Sequence, residues 1–125
     1  MNQSWVECAE AGNIDEAIME IVRTYDYVSF VELERKLAPY IETKGNHALE
    51  LAPKTNIFIW FGLSEVLSDA ILRLLRTKRI EPKATSLLVY MVDGATPKVP
   101  IAKRPPKNGY KSERWCPVVL RIAGL

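Results

Sequence analysis

The chain has 125 residues, 48% hydrophobic and 26% charged, the profile of a soluble globular domain large enough to bury a core without disulfide or metal staples. Its net charge of +2 conceals an asymmetry: residues 1–72 carry five Lys/Arg against twelve Asp/Glu, and residues 73–125 carry twelve against three. The basic half points to a polyanionic partner, with mutual neutralisation of the two halves as the plain alternative, and the longest apolar run, Ile57–Phe61, is too short to span a membrane.

Residues 1–12 read as a short arm anchored by Trp5, without the basic and apolar segments of a signal peptide, so the cytoplasm is the default location. Asn13, with Glu16 three residues on, resembles a capping arrangement and opens the first helix. Its apolar face is Ile14, Ala17, Ile18, Ile21, Val22 and Tyr25. Ser29 and Glu32 form a second capping box and open a second helix. That helix ends or kinks at Pro39, which lacks an N–H and crowds the preceding turn. Residues 42–55 hold turn signals at Gly45-Asn46 and Pro53, and Ala48–Leu51 reads as either a helical turn or a short strand. Asn56–Phe61, rich in β-branched and aromatic residues, reads as a buried strand.

Ser64 caps a third helix in which Leu63, Val66, Leu67, Ala70, Ile71, Leu74 and Leu75 share one face. Ser64, Glu65, Ser68, Asp69, Leu72, Arg73 and Arg76 fall on the other. The acids lie near its start and the arginines near its end, as the helix dipole favours. An extended segment begins at Ile80, with a turn near Pro82–Thr85. A strand over Leu87–Val92 follows, then a hairpin turn at Asp93-Gly94 and a returning strand over Lys98–Ala102. The segment 103–114 is basic and proline-containing, an exposed loop, and Trp115–Ile122 reads as a terminal strand.

Three helices followed by a hairpin resemble the winged helix-turn-helix family over about residues 13–102. The resemblance rests on SFVELERKL at 29–37 and on LSEVLSDAILRLLRTKRI at 63–80, which looks like the family's recognition helix. The chain departs from the family in the twenty or so residues between its second and third helices. The expected fold is a single α+β domain: an arm, a winged-helix-like core with a small antiparallel sheet, and residues 103–125 as a basic loop and strand.

The resemblance implies that the third helix enters the major groove of double-stranded DNA and the wing touches the backbone. Ser64, Ser68 and Asp69 then sit at base edges. Arg73, Arg76, Lys78, Arg79 and Lys83 contact phosphates, and Lys103, Arg104 and Lys107 extend the strip. Against this, Glu65 and Asp69 repel phosphates, and no Asn, Gln or Arg occupies the first two turns. The alternative is a protein-interaction module of the same fold, with Trp5 as the contact in a homodimer. Enzymatic chemistry is the weakest class. Cys8, Cys116 and His47 are scattered without ligand spacing, no nucleotide or hydrolase motif occurs, and no cofactor or metal is expected.

Overall fold

The computed structural model describes residues 4–103 and 106–124. In chain order the elements are α1 (Ser4–Glu10), α2 (Ile14–Tyr25), α3 (Phe30–Leu37), β1 (Lys44–Glu50), β2 (Ile57–Leu63), α4 (Glu65–Arg76), β3 (Ile80–Ala84), α5 (Leu87–Asp93), β4 (Arg114–Trp115) and β5 (Val118–Ile122). The architecture is α+β.

The capping chemistry acts as the spacing predicts. Asn13 accepts from the Glu16 N–H, Ser29 from Glu32 and Ser64 from Leu67, so α2, α3 and α4 each start at a side chain that satisfies an orphan backbone donor. α3 ends at Leu37, two residues before Pro39.

The strands form two sheets. One has the order β1-β2-β4, with β1 antiparallel and β4 parallel to β2. The other pairs β3 with β5, antiparallel, from Ile80 opposite Ile122 to Ala84 opposite Val118. Val28, between α2 and α3, bridges Leu120 on the opposite edge of β5. The lateral order is therefore Val28, β5, β3. Pro82 is tolerated because β3 is an edge strand, where a missing N–H costs no ladder bond. The expectation of one small antiparallel sheet is corrected: β2 belongs to a separate, mixed sheet.

Four further expectations are corrected. The N-terminal arm is the helix α1, and its Trp5 is buried, edge-on to Tyr40 with ring centroids 5.9 Å apart. The segment 87–92 is helical. Ser86 caps it by accepting from the Leu88 N–H, and Gly94, at φ 96°, ends it in the left-handed conformation. A short apolar run carries no periodicity that separates a strand from a helical turn, and the two caps decide it here. Consequently Asp93-Gly94 is a helix terminus, and Lys98–Ala102 has no strand at 87–92 to pair with; Ile101 bridges Trp115 instead. Cys116 and Pro117 interrupt the terminal strand, leaving β4 and β5 in different sheets.

An aromatic cluster ties these pieces together. Trp60 of β2 stacks on Phe30 of α3, 5.8 Å between centroids, and lies 5.1 Å from Tyr90 of α5 and 6.1 Å from Trp115 of β4. Tyr90 and Trp115 meet edge to face at 5.1 Å. Such pairs add about 0.5–1.5 kcal/mol each beyond the area they bury. The buried Trp60 N–H donates to Glu34 Oε2 at 2.8 Å, and Lys44 pairs the other carboxylate oxygen at 3.0 Å. The hairpin β1–β2 and the excursion 85–117 thus share one core with α3.

Candidate nucleic-acid interface

α4 runs from the end of β2 to the start of β3, and its buried residues are Leu67, Ser68, Ala70, Ile71 and Leu74. The buried stripe is rotated from the one that the apolar residues alone suggest. Val66 is 55% exposed, whereas Ser68 is 3% and Ser64 7% exposed. Ser64 spends its hydroxyl on the helix cap and Ser68 faces the core, so neither reaches a base edge. α4 packs on α2 and β1, with Ser68 buried and Val66 left outside.

The exposed surface of α4 presents Glu65, Val66, Asp69, Arg73 and Arg76. Arg73 is occupied by Asp15 of α2, Nε to Oδ2 at 3.0 Å and Nη2 to Oδ1 at 2.8 Å. The Arg73 guanidinium holds the Asp15 carboxyl below its usual value, and Asp15 raises Arg73 in turn. Arg79 pairs with Glu16 at 2.7 Å. Both arginines therefore neutralise the acidic start of α2, the plain alternative for the charge asymmetry acting inside one chain.

The other cations differ. Arg76, Lys78, Lys83, Lys103 and Lys107 are exposed, and none forms an ion pair among the described residues. Lys78 has φ 57° and closes the end of α4, its N–H donating to Leu75 O while the Arg79 N–H donates to Leu74 O. Arg104 lies outside the described residues.

The basic loop is docked. The Tyr110 N–H donates to Thr55 O at 2.9 Å, Asn56 Nδ2 donates to Tyr110 O at 2.8 Å, and the Lys103 N–H donates to Tyr110 Oη at 3.0 Å. Arg114 lies over the Tyr110 ring, 4.8 Å from its centroid. Gly109 packs so tightly on the β1–β2 turn that a Cβ there would meet Thr55 Cα at 2.7 Å. This contact brings exposed Lys54 to the loop that carries Lys107 and Lys111. Lys54 is the residue that sequence reasoning missed. More than fifty residues separate it from Lys107, and the packing of Gly109 and Tyr110 on the β1–β2 turn brings the two together. Glu113 is the acid of the same loop.

The described residues contain no group of three or more His, Cys, Asp or Glu side chains that could hold a metal ion, and no helix long and apolar enough to cross a membrane. Cys8 and Cys116 are free thiols, and burial pushes Cys116 up, which keeps it protonated at neutral pH. Comparison with protein families, curated proteins and solved structures finds no match.

Proposed function

We propose that the chain is a non-enzymatic, winged-helix-type regulatory module that binds duplex DNA through its phosphates. One observation carries this reading: β5 lies between Val28 and β3, behind the helix series α2, α3, α4. That order supports a winged-helix reading with two insertions, the hairpin β1–β2 before the third core helix and residues 85–117 in place of the wing tip. Five of the exposed cations that form no ion pair among the described residues, Arg76, Lys78, Lys83, Lys103 and Lys107, supply phosphate contacts. Glu65 and Asp69 at the leading end of α4 argue against close base reading there. Binding is therefore strong in its salt dependence and weak in its sequence preference.

Fluorescence anisotropy with a random-sequence duplex at several salt concentrations tests this. If all five cations engage, log affinity falls against log salt with a slope of about −4 to −5. Arg76→Glu with Lys83→Glu reduces the slope by about 2. An unchanged slope removes the α4–β3 surface from the interface, and no binding at low salt removes DNA altogether.

One observation favours the second reading, a protein-interaction module. Leu88, Met91 and Val92 of α5 are 64%, 58% and 84% exposed and share one face. They offer a self-complementary apolar contact to a second copy of the chain. Trp5, the earlier candidate for that contact, is buried in the core. Light scattering that shows a dimer converted to monomer by Val92→Glu supports this reading; a monomer at high concentration removes it.

A further inference from the structure

The hairpin β1–β2 and the excursion 85–117 meet at their tips. The turn of residues 51–56 is held from within: the Thr55 N–H and Oγ1 both donate to Ala52 O, at 3.3 and 2.7 Å, and the Leu51 N–H donates to Ile57 O at 2.7 Å. Asn56 staples it to the basic loop, donating through Nδ2 to Tyr110 O and accepting at its own carbonyl from the Arg114 N–H, both at 2.8 Å. Two residues of this turn, Lys54 at φ 65° and Asn56 at φ 58°, adopt the left-handed backbone that few side chains take. Asparagine suits that conformation, and Asn56 uses its side chain there. The Lys54 side chain makes no hydrogen bond or ion pair among the described residues, so nothing local accounts for a lysine at a strained position. Strain that the surroundings hold in place points to function.

Lys54 stands beside Thr55, on which Gly109 packs, and Gly109 lies two residues from both Lys107 and Lys111; all three lysines are exposed. The acids of the same region are half-buried Glu50, whose Oε2 accepts from the Asn56 N–H at 2.9 Å, and exposed Glu113. Residues 50–56 and 106–114 thus hold four Lys/Arg against two Asp/Glu. Docking the loop gathers like charges, a cost that a polyanion offsets. Leu51 and Lys78 border one groove, so the joined tips stand beside the last turn of α4. Tyr110 is spent inside the contact, its ring under Arg114 and its hydroxyl accepting the Lys103 N–H, which leaves phosphates rather than bases as the target. We infer that the joined tips form a second arm, in which Lys54 and Lys111 grip the phosphates of the same duplex that meets the end of α4. The inference rests on the DNA reading above and adds two contacts to its five.

The full chain is titrated with a random-sequence duplex at several salt concentrations, followed by anisotropy. Lys54→Asn with Lys111→Gln is expected to make the salt slope shallower by about 2, since each phosphate contact contributes about −0.9. Asparagine tolerates the backbone at position 54 better than lysine, so the denaturant midpoint does not fall. Lys54→Arg with Lys111→Arg keeps the wild-type slope. The loss adds to that of Arg76→Glu with Lys83→Glu, because the two pairs lie on separate elements. If the wild-type chain binds no duplex at low salt, the DNA reading and the arm fall together. If it binds, and only the Arg76 and Lys83 pair alters the slope, the DNA reading stands and the arm is overturned. A slope lost equally in the arginine pair also overturns it, since a disturbed turn rather than a missing charge then explains the loss.

Discussion

Arg73 on α4 clasps Asp15 on α2 in a two-pronged pair, so a residue that the sequence offers to DNA joins two of the protein's own helices at the surface. The pair is more than half exposed on the arginine side, and its strength is correspondingly small. Arg73→Gln is expected to lower stability only slightly at pH 7, as for an exposed ion pair. In duplex binding it falls well behind Arg76→Glu. Asp15 sits below its unfolded value of 3.8, so its contribution is fully present above that pH and is lost as pH falls through the depressed folded value. Denaturant midpoints of wild type and Asp15→Asn should converge below that range. A gap that persists in acid contradicts the pairing.

Tyr90 carries a second, stronger prediction. Its hydroxyl donates to Val118 O at 2.6 Å and accepts from the Phe30 N–H at 3.1 Å, joining α5 to β5 and to the start of α3. Burial pushes the phenol far above its ordinary value of 10.0. A raised folded value means that stability is intact below pH 10 and declines as pH rises through the folded value. Tyr90→Phe should cost about 1–3 kcal/mol at neutral pH, because the buried Phe30 N–H loses its partner. It should also flatten the alkaline decline above pH 10. Chemical denaturation at pH 7 and at alkaline pH checks both effects.

Gly109 is the hinge of a third. At φ 79°, and with Thr55 Cα, Lys54 O and Thr55 O all under 3.0 Å from a would-be Cβ, it admits no side chain without moving backbone. Gly109→Ala should undock the basic loop while leaving the aromatic core in place. Amide exchange at Tyr110 and Thr55 then rises, near-ultraviolet circular dichroism holds, and the duplex salt slope shrinks as Lys103 and Lys107 disengage. Exchange unchanged at Tyr110 would show that the loop tolerates the new methyl.

The boundaries that local chemistry sets were legible. Asn13, Ser29 and Ser64 each announce a helix because a cap needs only four consecutive residues. Asn56–Phe61 is legible as a strand from its β-branched and aromatic run, and the strand observed is Ile57–Leu63. The features that escaped depend on partners remote in sequence. Leu87–Val92 is apolar in either conformation, and Tyr90 reaches its place by contacts to Phe30, Val118 and Trp115 that no local pattern encodes. Ser68 looked like a solvent-facing residue because its polarity was read without the neighbouring helix. The charged site fared likewise. Arg73 and Arg79 count as free cations in a sequence tally, and only the approach of α2 discloses that Asp15 and Glu16 already hold them.

The bridge between Val28 and Leu120 has a consequence for how the chain comes into being. On the ribosome, α2, α3 and α4 emerge long before β5, and the edge of β3 waits unpaired through the synthesis of residues 85–117. Closing so distant a contact is slow, since loop entropy is lost before any bond repays it. Until β5 arrives, Ile80 and Val28 lack their strand partners, Ile122 and Leu120, so the nascent chain is most exposed to misassociation before β5 pairs.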